Sequence, residues 1–469
     1  MLLLISIIIF SIYYARNTSI SNKIIDKDKN TTTMTPISLS TTELFSENKF
    51  QQISTDIFCS NHGTIVLRMV IGDFNNDDQT DFIFPCKFTE NIEIMLLLNN
   101  GNSTFQNSII FLLSNSEQIQ SIHIVDFNND HRSDISVIHG NEMNKKLTIL
   151  LNNGNKTFHN STTFLLEKFY RIHDVHLADF NNDNQYDILL TRSIISKENL
   201  VVLLGSNEGR FQKQITVSCT IFSFLMGRTK VHDFNNDDIL DIVLDFEADK
   251  NIGIMWGLGN GSFSTEFLLF KKESITFLQN LAVTDVNNDD YLDIIVYEKD
   301  SKHIYVLFGN INGTFQIRKS LFTIIMFSYY TFQVIGDFDN DNRSDIVFIY
   351  NDFEYIECTI YYYHNNKFTK YEKISIENIG YINSVTVHDL NNDNYLDLIF
   401  DMQDQNIYVL FGYGNKQFYF KPIYWNKFPT NRKWMIITDF NDDKYDDIIV
   451  DVNSQTIDVL LSEREFLIN

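Results

Sequence analysis

"DFNNDDQTDF", Asp73 to Phe82, puts four aspartates and two asparagines into ten positions. Nearly the same string returns seven times: "DFNNDHRSDI" from Asp126, "DFNNDNQYDI" from Asp179, "DFNNDDILDI" from Asp233, "DVNNDDYLDI" from Asp285, "DFDNDNRSDI" from Asp337, "DLNNDNYLDL" from Asp389 and "DFNDDKYDDI" from Asp439. The first aspartates follow one another at 53, 53, 54, 52, 52, 52 and 50 residues. Spacing that regular marks one supersecondary unit repeated along the chain, and the unit decides the fold.

Alternating runs such as "SIHIVDF", "LAVTDV" and "SVTVHDL" lead into the loop, as a strand with one inward face would. A β-branched run follows directly, "DIVL" from Asp241 or "DIIVY" from Asp293. After a polar turn comes a third strand ("NIEIMLLL", "KLTILL", "HIYVLFG"), then a Gly/Asn turn ending in Phe ("NNGNSTF", "NNGNKTF", "GNGSF", "GNINGTF") and a less regular fourth strand. Four antiparallel strands per unit, with no helical segment between units, predict an all-β propeller. A lone blade cannot bury both faces, so neighbours must stack. Eight loops predict eight blades; seven blades with a spare motif is the alternative, because spacing does not fix blade number. "NKFQQISTDIF" (48–58) reads as a fourth strand with no preceding three, and "TIDVLLSEREFLIN" (456–469) leaves at most a stub for its own. The N-terminal strand is therefore expected to complete the last blade and cover two sheet edges.

Oxygen-bearing side chains fall at loop positions 1, 3, 5 and 9. In the first three loops these are Asp73, Asn75, Asp77 and Asp81; Asp126, Asn128, Asp130 and Asp134; Asp179, Asn181, Asp183 and Asp187. The fourth and fifth carry Asp233, Asn235, Asp237 and Asp241, then Asp285, Asn287, Asp289 and Asp293. The last three carry Asp337, Asp339, Asp341 and Asp345; Asp389, Asn391, Asp393 and Asp397; Asp439, Asn441, Asp443 and Asp447. Odd spacing in a tight loop turns alternate side chains toward one centre. Hard oxygen donors without His or Cys suit Ca²⁺, which takes about 6–8 oxygens. The competing explanation is that Asp and Asn only form Asx turns in a hairpin. Eight copies with a carboxylate at positions 1, 5 and 9 favour the ion, since turn chemistry alone accepts Ser, Gly or Lys there. Up to eight structural Ca²⁺ are expected, and their charge would reduce the formal −24 to −8. Position 6 needs a backbone shape that Asn or Asp tolerates, met by Asp78, Asn184, Asp238, Asp290, Asn342 and Asn394. His131 and Arg132 in loop two and Lys444 in loop eight are expected to weaken those two sites, and loop six is the richest in carboxylates at the four ligand positions.

The 469 residues include 40 Phe and 22 Tyr with 44% hydrophobics, enough for a large core. The net charge argues against nucleic acid, whose phosphates need a basic face. "MLLLISIIIFSIYYAR" (1–16) reads as a signal peptide or a signal anchor, the one route to a membrane. Residues 17–45, rich in Thr, Ser and Asn, read as a flexible spacer, leaving 46–469 for the propeller. Asn17, Asn30, Asn102, Asn155, Asn160, Asn260, Asn312 and Asn342 head N-x-S/T triplets, which suit an exported chain. Of four cysteines, Cys59 and Cys86 flank the first strand pair and are candidates for a bridge; Cys219 and Cys358 read as buried thiols.

The loop and its "NNGNxTF" turn resemble the FG-GAP/VCBS repeat, the unit of integrin-α-type propellers, over residues 48–469. That resemblance implies a secreted or cell-surface propeller in which calcium is structural and the partner is a protein or glycan. An adhesion or recognition module, not an enzyme, is the expectation. No G-x-S-x-G, H-E-x-x-H or Walker loop occurs, and His123, His232 and His388 read as strand fillers. A carbohydrate-active enzyme of the polysaccharide-lyase kind is the alternative, since some such propellers carry active sites with calcium. Metal loops and Phe-ending turns share one face in an up-and-down blade, and Asn102, Asn155, Asn260 and Asn312 lie in those turns. The ligand is therefore expected on the opposite face, where "FTIIMFSYYTF" (322–332) and "YWNKFPTNRKW" (424–434) are unusually aromatic.

Overall fold

Each acidic loop joins the first two strands of its own antiparallel sheet. The computed structural model describes Cys59, residues 64–65 and residues 69–460, apart from the segments 102–104, 115, 142–143, 168–170, 195–196, 219–224, 247–250, 272–277, 299–302, 319–329, 352–354, 366, 378–379, 404–405, 415, 424–434 and 452–456. Blade 2 shows the pattern: Gln118–Val125, Asp134–Gly140, Asn144–Asn152 and Phe158–Glu167 pair in chain order. Blades 3 to 7 repeat it from Arg171, Leu225, Leu278, Tyr330 and Ile382. In blade 1 the first-strand position is filled by two short strands, Thr64–Ile65 and Val70–Gly72, both pairing with Asp81–Lys87. Blade 8, from Met435 to Leu460, has three strands among the described residues. Every motif thus owns a sheet, so the protein is an all-β, eight-bladed propeller and no motif is spare. The segment 48–58, expected as the closing strand, lies outside the described residues, as do the N-terminal 1–16 and the spacer.

By internal contacts the blades form two compact units, blades 6 and 7 in one and blades 1 to 5 with blade 8 in the other. Within the larger unit, strand alternation divides each blade's side chains between its two neighbours. Phe82, Phe84, Met95 and Leu97 of blade 1 join Ile436, Phe440, Ile449 and Val459 of blade 8. Ile83, Ile94, Leu96 and Leu98 of the same strands join Ile122, Ile135, Val137 and Leu150 of blade 2. Burial on both faces explains why second strands are mainly apolar on both alternations, and Asp134–Gly140 is buried along its length, Ser136 and His139 included. Each fully buried aliphatic or Phe side chain contributes about 1.5–3 kcal/mol. In the smaller unit Val347, Ile349 and Ile360 of blade 6 pack with Leu398, Phe400 and Leu410 of blade 7.

Two phenylalanines of the repeat form the seams. The residue at loop position 2 is buried, and its ring meets the Phe that ends the turn of the following blade. The pairs are Phe74 with Phe158, Phe127 with Phe211, Phe180 with Phe263, Phe234 with Phe315 and Phe338 with Phe418, at centroid distances of 5.9–6.4 Å. Phe440 of blade 8 makes the same contact with Phe105 of blade 1 at 6.1 Å, so the last sheet seats on the first. Cys59 lies in that seam and is disulfide-bonded to Cys86, with Cα atoms 5.6 Å apart, as the sequence allowed. Cys358 is a buried free thiol; Cys219 lies outside the described residues.

Candidate metal-loop site

The loop is built around its first aspartate. Asp73 Oδ1 accepts the N–H of Asn76 at 2.7 Å and those of Asn75 and Asp77 at 3.2 Å, while Oδ2 accepts the N–H of Asp78 at 3.0 Å. In the other seven loops the position-6 N–H reaches the first aspartate at 2.7–2.8 Å. Position 5 takes the N–H of position 7 in every loop, as Gln79 donates to Asp77 Oδ1 at 3.0 Å. Wrapping backbone around a carboxylate this tightly needs left-handed residues at two places. Position 4 has φ of 56–59° and position 6 has φ of 60–72° in all eight loops. Position 6 was legible in the sequence; position 4 was missed, although its signal is the second Asn of each "NN". In four loops that Asn also clasps the next blade. Asn129, Asn182 and Asn236 donate from Nδ2 to the carbonyls of Asn184, Asp238 and Asp290 at 2.8, 3.1 and 3.4 Å, and Asn340 donates to Asn394 O at 2.7 Å. Loop eight carries Asp442 instead, which cannot donate, and a cleft of about 600 Å³ opens between Asp442 and Asp78 of loop one.

The position-9 aspartates are fully buried and staple the loop to strand three. Asp187 Oδ2 accepts the N–H of Phe180 at 2.9 Å and Oδ1 that of Gly205 at 2.7 Å. Asp81, Asp134, Asp241, Asp293, Asp345 and Asp397 make the same two bonds. In four of these blades strand three also comes very close to the loop backbone. A Cβ on Gly205, Gly257, Gly309 or Gly412 would sit 2.2–2.6 Å from the position-8 carbonyl oxygen, which accounts for glycine there. Burial, opposed by these N–H donors and reinforced by the neighbouring carboxylates, pushes Asp81, Asp134 and Asp187 up to about 6, and Asp241, Asp293 and Asp397 to about 7. Asp345, beside Asp339, is pushed to about 8. The loops therefore hold their charge at a disadvantage, which a bound cation would remove.

Position 3 separates the loops. In loops two, three, four, five, seven and eight its amide donates Nδ2–H to the position-5 carboxylate at 2.9–3.0 Å. In loops one and five the amide oxygens of Asn75 and Asn287 are buried without a hydrogen-bond partner. A buried oxygen with no donor, beside carboxylates with spare lone pairs, is what an oxygen-seeking cation would satisfy. Loop two answers its charge internally: Arg132 pairs through Nη2 with Asp130 Oδ2 and through Nε with Asn152 O at 2.9 Å. Loop six has Asp339 at position 3, and only there, among the described residues, do three acidic or imidazole groups lie with ligand atoms within 4.8 Å of one another.

A second polar cluster lies on the first strands of blades 3 and 4. His176 Nε2 is 2.6 Å from Thr229 Oγ1 and 3.3 Å from Asp174 Oδ2, and Thr229 donates its hydroxyl to Asp174 at 2.8 Å. His123 of blade 2 and His232 of blade 4 lie near enough to feel His176, and burial, with these neighbours, pulls both imidazoles below their ordinary value. Sequence reading found His123 and His232 but not His176 or Asp174. Of the aromatic stretches, 322–329 and 424–434 lie outside the described residues, and Phe332 packs into the core of blades 6 and 7.

A family model described as an FG-GAP-like repeat matches residues 134–190 and 337–400. No curated protein matches the chain. Among solved structures, the exotype rhamnogalacturonan lyase YesX is similar at 11% identity and a TM-score of 0.54, over 85% of this chain and 72% of that one. A rhamnogalacturonan lyase of Bacillus licheniformis is similar at 11% identity and 0.52, over 88% and 76%. Sqt1 of Saccharomyces cerevisiae is similar at 9% identity and 0.52, over 87% and 98%. Likeness at such identities shows the fold alone. Among the described residues no helix is long and apolar enough to cross a membrane.

Proposed function

Because the chain carries FG-GAP-like repeats on an eight-bladed β-propeller, we propose that it is a calcium-stabilised extracellular module for adhesion or recognition. The observation that carries this reading is the oxygen-only loop, folded alike in each blade, with Asn75 Oδ1 and Asn287 Oδ1 buried and unpartnered. The side chains at positions 1, 3, 5 and 9 would hold the ion, whose chemistry is charge neutralisation and nothing catalytic. The Cys59–Cys86 disulfide supports an oxidising compartment outside the cytosol. Amide clasps tie four pairs of neighbouring loops at the metal-loop end, and sequons lie in its turns, which favours the opposite face for a protein or glycan ligand. A ligand at about 100 times its Kd adds roughly 2.7 kcal/mol of stability, and several sites act together here. Excess EDTA should therefore lower the Tm by several degrees, and calcium should restore it. An unchanged melt would refute the calcium reading. A glycan array on the purified protein should give binding without turnover.

The Asp174–His176–Thr229 cluster favours a second reading, a carbohydrate-active enzyme. A carboxylate-oriented imidazole is a serviceable proton acceptor for breaking a sugar-chain linkage. Release of unsaturated products from rhamnogalacturonan or other acidic polysaccharides, lost in His176→Ala, would establish it in place of the binding module.

A further inference from the structure

Loop six departs from its siblings in the one feature that bears on an ion. Asp339 replaces the asparagine found at position 3 of the other seven loops, which gives this loop a fourth carboxylate. Its side chain is 4% exposed and accepts no hydrogen bond of ordinary geometry; two nitrogens approach it instead. Lys416 Nζ and His364 Nε2 each stand 3.1 Å from Asp339 Oδ2. Lys416 comes from the blade 7 turn between Ile407–Gly412 and Phe418–Ile423, and His364 ends Tyr355–His364 of blade 6. The ammonium also lies 2.6 Å from His364 Nε2 and 4.2 Å from the centre of the Tyr362 ring. His364 Nδ1 is 2.9 Å from Asp341 Oδ2.

One proton assignment leaves Lys416 as the cation shared by Asp339 Oδ2 and His364 Nε2, two acceptors that face each other at 3.1 Å. His364 carries its proton on Nδ1 and donates it to Asp341, while Nε2 accepts from the ammonium of Lys416, which also faces Asp339. We propose that Lys416 supplies in loop six the positive charge that calcium supplies elsewhere, so that this loop binds no divalent ion and joins blades 6 and 7 without one. A divalent ion could reach Asp339 only by displacing an ammonium from a buried carboxylate. The other loops present a neutral amide at that position, and among the described residues no lysine stands on it. Blades 6 and 7 are also the pair that forms a compact unit of its own. The inference rests on the calcium reading only for the contrast between loops.

The test measures melting in EDTA and bound calcium by native mass spectrometry, on the full chain. In EDTA, Lys416→Met should lower the Tm by a few degrees by stranding a buried carboxylate. Adding Asp339→Asn should recover most of that loss. In calcium, Asp339→Asn alone should leave the number of bound ions unchanged, whereas Lys416→Met should raise it by one. Asparagine stands at this position in seven sibling loops, so the Asp339→Asn chain will fold even if Lys416→Met does not. Loss of one ion in Asp339→Asn, or absence of coupling between the two positions in EDTA, overturns the proposal. A chain that binds no calcium anywhere but keeps the coupling supports the lysine latch and sinks the calcium reading instead.

Discussion

A buried position-9 aspartate does two jobs that compete. As an acceptor it satisfies two backbone donors, and as a charge it is poorly placed. Asp187→Ala should therefore destabilise the protein by roughly 2–6 kcal/mol, about 1–3 for each of the two stranded N–H groups, read from denaturant midpoints. The pH dependence follows from the same residues. Asp241, Asp293 and Asp397 release their protons at about 7 in the folded chain, and Asp345 at about 8. In the unfolded chain an aspartate does so near 4. Between those values the folded state holds more protons, so without metal its stability falls as pH rises. The contribution is complete below about pH 4 and is lost progressively from there to about pH 8. In EDTA the Tm should thus be higher at pH 5 than at pH 8. In saturating calcium that order should reverse, because the ion binds the ionised carboxylates and is displaced by acid.

At the scale of the loop and its neighbours, the asparagine at position 4 adds a link between elements to a backbone constraint. Asn129 sits at φ 57° and donates to Asn184 O at 2.8 Å. Asn129→Ala loses both the left-handed tolerance and the clasp, a cost of about 1–3 kcal/mol. Asn129→Gly loses only the clasp and should recover part of the deficit, which a paired thermal melt will show. The phenylalanine seam is stronger. Phe440 is 3% exposed and packs against both Phe82 and Phe105. Phe440→Ala should cost about 3–5 kcal/mol and speed hydrogen exchange first in blades 8 and 1. The sequence displayed both phenylalanines in nearly every repeat, yet their pairing across blades could not be read from it. A strand's neighbours within a blade lie close in sequence; the phenylalanines paired across a seam lie 80–84 residues apart, and 335 apart where blade 8 meets blade 1.

For the whole molecule, the terminal seam is the place where chain connectivity cannot help. Blade 8 meets blade 1 through side-chain packing, the Thr80 Oγ1 bond to Asp439 O at 3.2 Å, and the cluster that includes Cys59. The Cys59–Cys86 bridge closes a loop with a sequence separation of 27, worth about 3–4 kcal/mol on chain-entropy grounds. Cys59→Ser with Cys86→Ser should lose that amount in a denaturant melt, with the earliest exchange again in blades 1 and 8.

The residues alone determined the repeat, the all-β class, the blade as the unit and the oxygen-rich loop, because each depends on contacts within some fifty consecutive residues. Tertiary structure decided the rest. It gave every motif its own sheet, bonded Cys59 to Cys86, turned Asn129, Asn182, Asn236 and Asn340 toward the next blade and put Lys416 of blade 7 on Asp339 of blade 6. Such pairings depend on which face of a sheet meets which neighbour. Identical local patterns carry no mark of that choice until the blades have stacked.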